Sequence, residues 1–130
     1  MKIGELGERA NVSTKTIRYY EDVGLLEEPT RTASGYRDYD EPAVERLRFI
    51  RDAQASGLSL AEIASVLELK AAGERSCQHT TALLERHLVE IDEQIVRLQA
   101  ARTQLAELAA RAQSLNPANC TDPNRCQVIG

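Results

Sequence analysis

Residues 3–26 read IGELGERANVSTKTIRYYEDVGLL, two short helix patterns with one break between them. Ile3 to Ala10 predicts a first helix. Asn11 and Val12 are turn-like, and Ser13 is a good N-cap for a second helix running to about Asp22, which Gly24 closes. Two short helices joined by a tight turn fit a helix-turn-helix, a spacing that many small helical proteins share. Residues 28–40, EPTRTASGYRDYD, place a Ser-Gly turn between short stretches rich in Thr, Arg and Tyr. They predict a small β-hairpin, a wing.

Working outward, Asp40, Glu41 and Pro42 form a helix start, with Asp as N-cap and Pro where no N–H is needed. The helix that follows carries Val44, Leu47, Ile50 and Ala53 on one face until Gly57 ends it. Ser59 and Glu62 make an S-x-x-E capping box for another short helix through Ile63, Val66 and Leu67, and a loop around Ala72 and Gly73 follows. From about Thr80 to Ala112 there is no Gly or Pro. Apolar residues keep a heptad beat there, with Leu84, Ile91, Leu98, Leu105 and Ala112 at one core position and Leu88, Ile95 and Ala109 at the other, Arg102 being the one polar interruption. So narrow a seam reads as a coiled coil whose stripe must be covered by another copy or another chain, so a dimer is expected. Asn116 and Pro117 break the helix. The tail reads as a loop in which Asp122-Pro123 can start at most one or two turns.

Composition sets bounds on this outline. The chain has 130 residues, enough for one ordinary domain or a small domain plus a helical appendage. Aromatic residues make up only 4%, which favours small helical units over a large sheet core. The net charge is -4 and the pI about 5.2, so bulk electrostatics give no reason to expect nucleic acid. The first residues offer neither a signal peptide nor an Arg-rich transit pattern, and no run approaches the roughly 20 apolar residues that span a bilayer. A cytoplasmic protein without membrane contact is expected. Its three cysteines, Cys77, Cys120 and Cys126, are an odd number and too sparse for a disulfide scaffold, which leaves packing, redox chemistry or metal.

Along the exposed side of the second helix stand Thr14, Lys15, Thr16, Arg18 and Tyr19, groups that bond to phosphates and base edges in a groove. The wing adds Arg31, Tyr36, Arg37 and Tyr39. Acidic Glu21, Asp22, Glu27 and Glu28 dilute this patch, and a merely solvated surface reads equally well from the pattern. The string of residues 3–26, followed by RTASGYRDYDE, resembles the signature of MerR-type transcription regulators: a helix-turn-helix start, R-Y-Y-E at Arg18 to Glu21, a following G-L-L, and G-Y-R-x-Y at Gly35 to Tyr39. The resemblance covers the first 70 residues and extends along the long helix to about 115. It implies a mainly α fold. Residues 1–70 would form a winged helix-turn-helix DNA-binding domain, residues 71–115 a linker and an antiparallel coiled-coil dimerisation helix, and residues 116–130 a C-terminal metal-binding loop. It further implies an activator whose dimer sits on a promoter with an over-long spacer and, with effector bound, bends and untwists that DNA so that RNA polymerase engages. On the same resemblance Lys15, Arg18, Tyr19, Tyr36 and Arg37 contact phosphate, and Thr14 and Thr16 read bases.

Cys77 stands near the N-terminal end of the long helix and Cys120 just beyond its C-terminal end, with Cys126 close by. About 33 residues of helix span about 50 Å, so the two groups cannot meet within one chain, whereas two chains can bring them together. In the antiparallel pairing that the resemblance implies, Cys77 of one protomer meets Cys120 and Cys126 of its partner, and metal occupancy is coupled to subunit geometry. Three thiolates suit a soft ion, with His79 a candidate fourth ligand or else a capping residue. His87 has no partner in the sequence around it and reads as structural. Within the family a cysteine at position 77 resembles the divalent-ion branches, whereas copper(I) and silver sensors tend to carry serine there. The order expected is zinc, then mercury, lead and cadmium, with copper(I) behind. The sequence departs from the family where Ala112 stands in place of the usual second cysteine, so Cys120 and Cys126 must form the loop pair. The rival readings are a copper(I), silver or thiol-redox regulator of the same family and, from another class, a coiled-coil adaptor with structural zinc. An enzyme is not expected, for there is no Ser/His/Asp constellation, phosphate loop or clustered carboxylate pair.

Overall fold

The computed structural model describes residues 1–130. The chain divides into two compact units, Met1–Glu85 and Arg86–Gly130. In chain order the elements are α1 (Ile3–Ala10), α2 (Thr14–Asp22), β1 (Thr30–Arg31), β2 (Arg37–Asp38), α3 (Glu41–Ala55), α4 (Leu60–Ala71), α5 (Cys77–Ser114) and a 3-10 turn at Pro117–Asn119. The fold is the mainly α, winged helix-turn-helix arrangement that the sequence predicts, followed by a long helix.

Each start and stop has a local cause. Helix α1 ends because Asn11 takes the left-handed conformation at φ 56°, which a short polar side chain tolerates. The chain then folds back so tightly that a Cβ on Gly7 would lie 2.6 Å from the Val12 carbonyl oxygen, and only glycine fits. Ser13 caps α2 by accepting from the Thr16 N–H at 3.1 Å, and Asp40 caps α3 by accepting from the Ala43 N–H at 3.2 Å. Ser59 and Glu62 close the capping box in both directions, at 3.1 and 2.9 Å. From Thr30 to Asp38 the hairpin pairs Thr30 with Asp38 and Arg31 with Arg37, and Gly35 turns the loop at φ +82°.

The first unit is built around Leu6, Ile17, Val44, Leu47, Ile50, Ile63 and Val66, all fully buried. Tyr20 ties α2 to α3 by donating to Gln54 Oε1 at 2.7 Å. Two guanidiniums of α3 serve the end of α1, Arg48 donating to the Arg9 carbonyl at 3.2 Å and Arg51 to the Ala10 carbonyl at 3.3 Å. Cations at a helix C-terminus satisfy its orphan carbonyls and oppose its dipole. A bidentate pair between Arg9 and Glu41 adds a second tie from α1 to α3.

Two boundaries differ from the expectation. Helix α5 begins at Cys77 rather than near Thr80, because the chain turns helical directly after buried Ser76, whose carbonyl accepts from the Thr80 N–H at 2.9 Å. In the tail the helical turn starts at Pro117, not at Asp122-Pro123. Asn116 caps it by accepting from the Ala118 N–H at 3.0 Å, whereas Asp122 accepts from the Asn124 N–H in a turn. No helix is long and apolar enough to cross a membrane. Gly7→Ala is expected to destabilise the first unit by roughly 1–3 kcal/mol, since a Cβ so near a backbone oxygen forces the turn apart; thermal unfolding followed by circular dichroism measures it.

Candidate nucleic-acid interface and metal site

Helix α2 presents Thr14, Lys15, Arg18 and Tyr19 to solvent, the i, i+4 spacing of 14 with 18 and 15 with 19 placing them on one side. Lys15 and Arg18 make no ion pair within the chain, so both are available to phosphate. Thr16 is half-buried, and its hydroxyl lies 2.8 Å from Ser13 Oγ at the helix start, which engages in the cap a group expected to read bases. On the wing, Tyr36 is 62% exposed, with Lys2 Nζ standing 5.3 Å from its ring centroid. That cation on the aromatic face was no part of the sequence expectation, because Lys2 lies outside both motifs.

Tyr39 and Arg37 are placed differently from the expectation. Tyr39 is only 4% exposed, so its ring belongs to the core rather than to a DNA-facing surface. It follows directly after β2, and its hydroxyl donates to Glu21 Oε1. Arg37 is half-buried, its Nη1 2.6 Å from Glu21 Oε2. Glu21, which the sequence shows only as an acid diluting a basic patch, is the hub of this wing contact. Burial, followed by the bond to Glu21, pushes the Tyr39 hydroxyl above the ordinary tyrosine range. The bond to Tyr39, followed by the Glu21 charge, raises the Arg37 guanidinium too.

The three cysteines are free and exposed. Cys77 is the first residue of α5, its carbonyl accepting from Thr81 Oγ1 at 2.8 Å. Cys120 follows the 3-10 turn, and the Cys126 carbonyl accepts from the N–H groups of Ile129 and Gly130, each at 3.1 Å. Unpaired, exposed thiols are a donor set suited to a soft ion, yet nowhere does the chain gather three His, Cys, Asp or Glu side chains close enough to hold one. His79 faces α4: its Nε2 lies 2.7 Å from Ser65 Oγ, and Ser65 donates to the Glu62 carbonyl at 2.6 Å. A hydroxyl has one proton, so this network makes His79 Nε2 the donor to Ser65. Residues two apart on a helix do not share a side, so His79 and Cys77 point apart. His87, expected without a partner, has the Glu90 carboxylate 3.5 Å from its Nδ1, one turn on.

Beyond Leu83, the one buried residue of α5, the long helix carries its apolar stripe uncovered. Leu88, Ile91, Ile95, Leu98 and Leu105 are between 46% and 69% exposed. Val89 and Val96 are exposed beside them and widen the stripe in its first half, a width that counting only two heptad positions misses.

Comparison with known proteins assigns this geometry. Residues 1–70 match the family described as MerR HTH family regulatory protein, and residues 44–108 match the family MerR, DNA binding. The chain is a member of the MerR family. A probable heavy metal-dependent transcriptional regulator of Haemophilus influenzae is 41% identical over 99 residues, covering 76% of this chain and 77% of that one. The HTH-type transcriptional regulator ZntR of Escherichia coli strain K12 is 37% identical over 108 residues, covering 82% and 77%. The crystal structure of the transcription regulator PbrR691 from Ralstonia metallidurans CH34, in complex with lead(II), is similar at a TM-score of 0.78 and 33% identity, covering 99% of this chain and 96% of that one. This MerR-family chain is thus a DNA-binding transcription regulator of the metal-sensing branch.

The buried hydroxyl of Tyr39 gives a pH test. Because its folded pKa is raised, the protonated form binds more tightly in the native state, so its contribution is present below the ordinary tyrosine pKa and lost as pH rises through the folded value. Burial raises the Tyr20 hydroxyl as well, so phenolate absorbance should show a late-titrating component from Tyr20 and Tyr39, and Tyr39→Phe should remove its part of that component together with its share of the alkaline loss of stability.

Proposed function

We propose that this chain is a cytoplasmic regulator, not an enzyme, that binds promoter DNA as a homodimer and activates transcription when a soft divalent ion binds at the dimer interface. Residues 1–70 bind DNA, residues 71–115 link and dimerise, and residues 116–130 close the metal site. Thr14, Lys15, Arg18, Tyr19 and Tyr36 face the duplex; Thr16 and Arg37 contribute from more engaged positions, and Tyr39 supports the wing from within. Metal occupancy favours a dimer geometry that bends and untwists an over-long promoter spacer, altering DNA shape so that RNA polymerase engages it.

One observation carries the sensing half. Three exposed, unpaired thiols stand at the first residue of an unbroken helix of 38 residues and beyond its far end, and no metal-capable cluster forms within the chain. Two copies paired antiparallel would supply Cys77 from one and Cys120 with Cys126 from the other. The uncovered stripe of α5 supports the pairing, since apolar faces of that extent mark interaction surfaces. The ligand set is the three cysteines, with His79 turned to Ser65 instead. The metal would supply the link between subunits, with the thiolates as soft donors. Zinc and lead(II) stand first, the latter because a relative of nearly full coverage binds it, followed by mercury and cadmium.

A promoter-unwinding and transcription assay over a panel of zinc, lead, cadmium, mercury and copper(I) tests the scheme. Cys77→Ser should abolish the divalent response while leaving DNA affinity within about twofold; an unaltered response removes Cys77 from the sensor. Leu98→Glu should turn the dimer into monomer in sedimentation and weaken promoter binding by at least about tenfold, because a charge in the seam must be buried unpaired.

A further inference from the structure

Glu21 sits in the last turn of α2 with its side chain 4% exposed. A carboxylate withdrawn from water is costly unless it is paired and hydrogen-bonded, and both oxygens of Glu21 are used: Arg37 Nη1 reaches one at 2.6 Å and the Tyr39 hydroxyl donates to the other. Both partners come from the wing. The hairpin has strands of only two residues, too short to hold an angle by its own ladder. Its second strand is instead anchored by the buried Tyr39 ring, by the Tyr39 N–H donating to the Met1 carbonyl at 2.8 Å, and by the Glu21 contacts. The same carboxylate is the ion-pair partner of Arg37, a wing cation whose side chain keeps 34% of its surface exposed.

We propose that Glu21 is a positioning residue with two effects: it fixes the wing against the recognition helix, and it withholds the Arg37 charge from indiscriminate phosphate binding, so that one buried carboxylate sets the ratio of promoter to random-sequence affinity. A freed guanidinium gains from phosphate on any sequence by counterion release, which steepens the salt dependence by about 0.9 per protomer in log–log slope. A loosened wing no longer fits one groove geometry better than others. Losing Glu21 therefore raises non-specific binding while lowering discrimination, a combination that simple loss of folded protein does not produce.

The inference rests on α2 and the wing being the DNA-contacting pair. The test uses the full chain, a duplex selected by the wild-type protein from a random pool, and a shuffled duplex of the same composition. If the wild-type chain selects no duplex, the DNA-binding reading itself fails. If it does, Glu21→Gln should bind the shuffled duplex on the order of fivefold more tightly at low salt, steepen the salt slope by about 0.9 per protomer, and lose on the order of tenfold in discrimination. Tyr39→Phe keeps the Glu21–Arg37 pair, and Glu21→Asp keeps the charge at shorter reach. Both should hold the wild-type salt slope while discrimination falls. An unchanged slope and ratio in Glu21→Gln, or a parallel loss on both duplexes, overturns the proposal. Where circular dichroism finds Glu21→Gln unfolded, the other two variants decide, and wild-type discrimination in both overturns it.

Discussion

The close approach of Gly7 to the Val12 carbonyl is the constraint from which the first unit follows. A turn this tight directs α2 back across α1, so Ile17 and Tyr20 enter the core beside Leu6 while Lys15 and Arg18 remain in water. The Tyr20 hydroxyl then reaches Gln54 on α3, and Glu21, next in the chain, comes to lie against the wing. One backbone contact thereby sets the exposed side of α2 and the position of the hairpin that accompanies it.

Charge is used locally in this protein, which is why its balance is a poor guide to its partner. Several basic side chains are engaged within the fold: Arg9 with Glu41, Arg37 with Glu21, Arg46 with the Leu25 carbonyl, and Arg48 and Arg51 with the end of α1. What remains on α2 is a small set of unpaired cations. A net charge of -4 coexists with a DNA-binding surface because placement, and not the sum, determines the field a duplex meets.

Burial divides the chain in a similar way. The core of the first unit takes up the apolar faces of α1 to α4 and ends with Leu83, after which α5 leaves its apolar residues uncovered. A helix can satisfy the backbone hydrogen bonds of its interior alone, but it cannot bury its own side chains. That asymmetry makes the long helix a complete element of secondary structure and an incomplete element of tertiary structure.

Features that depend on neighbours a few residues away can be read from the residues alone. Ser13, Asp40 and Ser59 announce their helices because a cap acts over three residues, and Gly24 and Gly57 follow helix ends because a positive φ is a property of one residue. The face of α3 was legible from its period, and the R-Y-Y-E and G-Y-R-x-Y motifs were enough to suggest the family. Roles that need a distant partner become visible once the chain is folded. Tyr39 and Arg37 carry groups suited to DNA, and nothing within a few residues tells that Glu21 claims both; His79 stands two residues from a cysteine, and only the packing of α4 against the start of α5 turns it toward Ser65. A polar side chain announces what it can bond to, while the fold chooses which of its bonds is made.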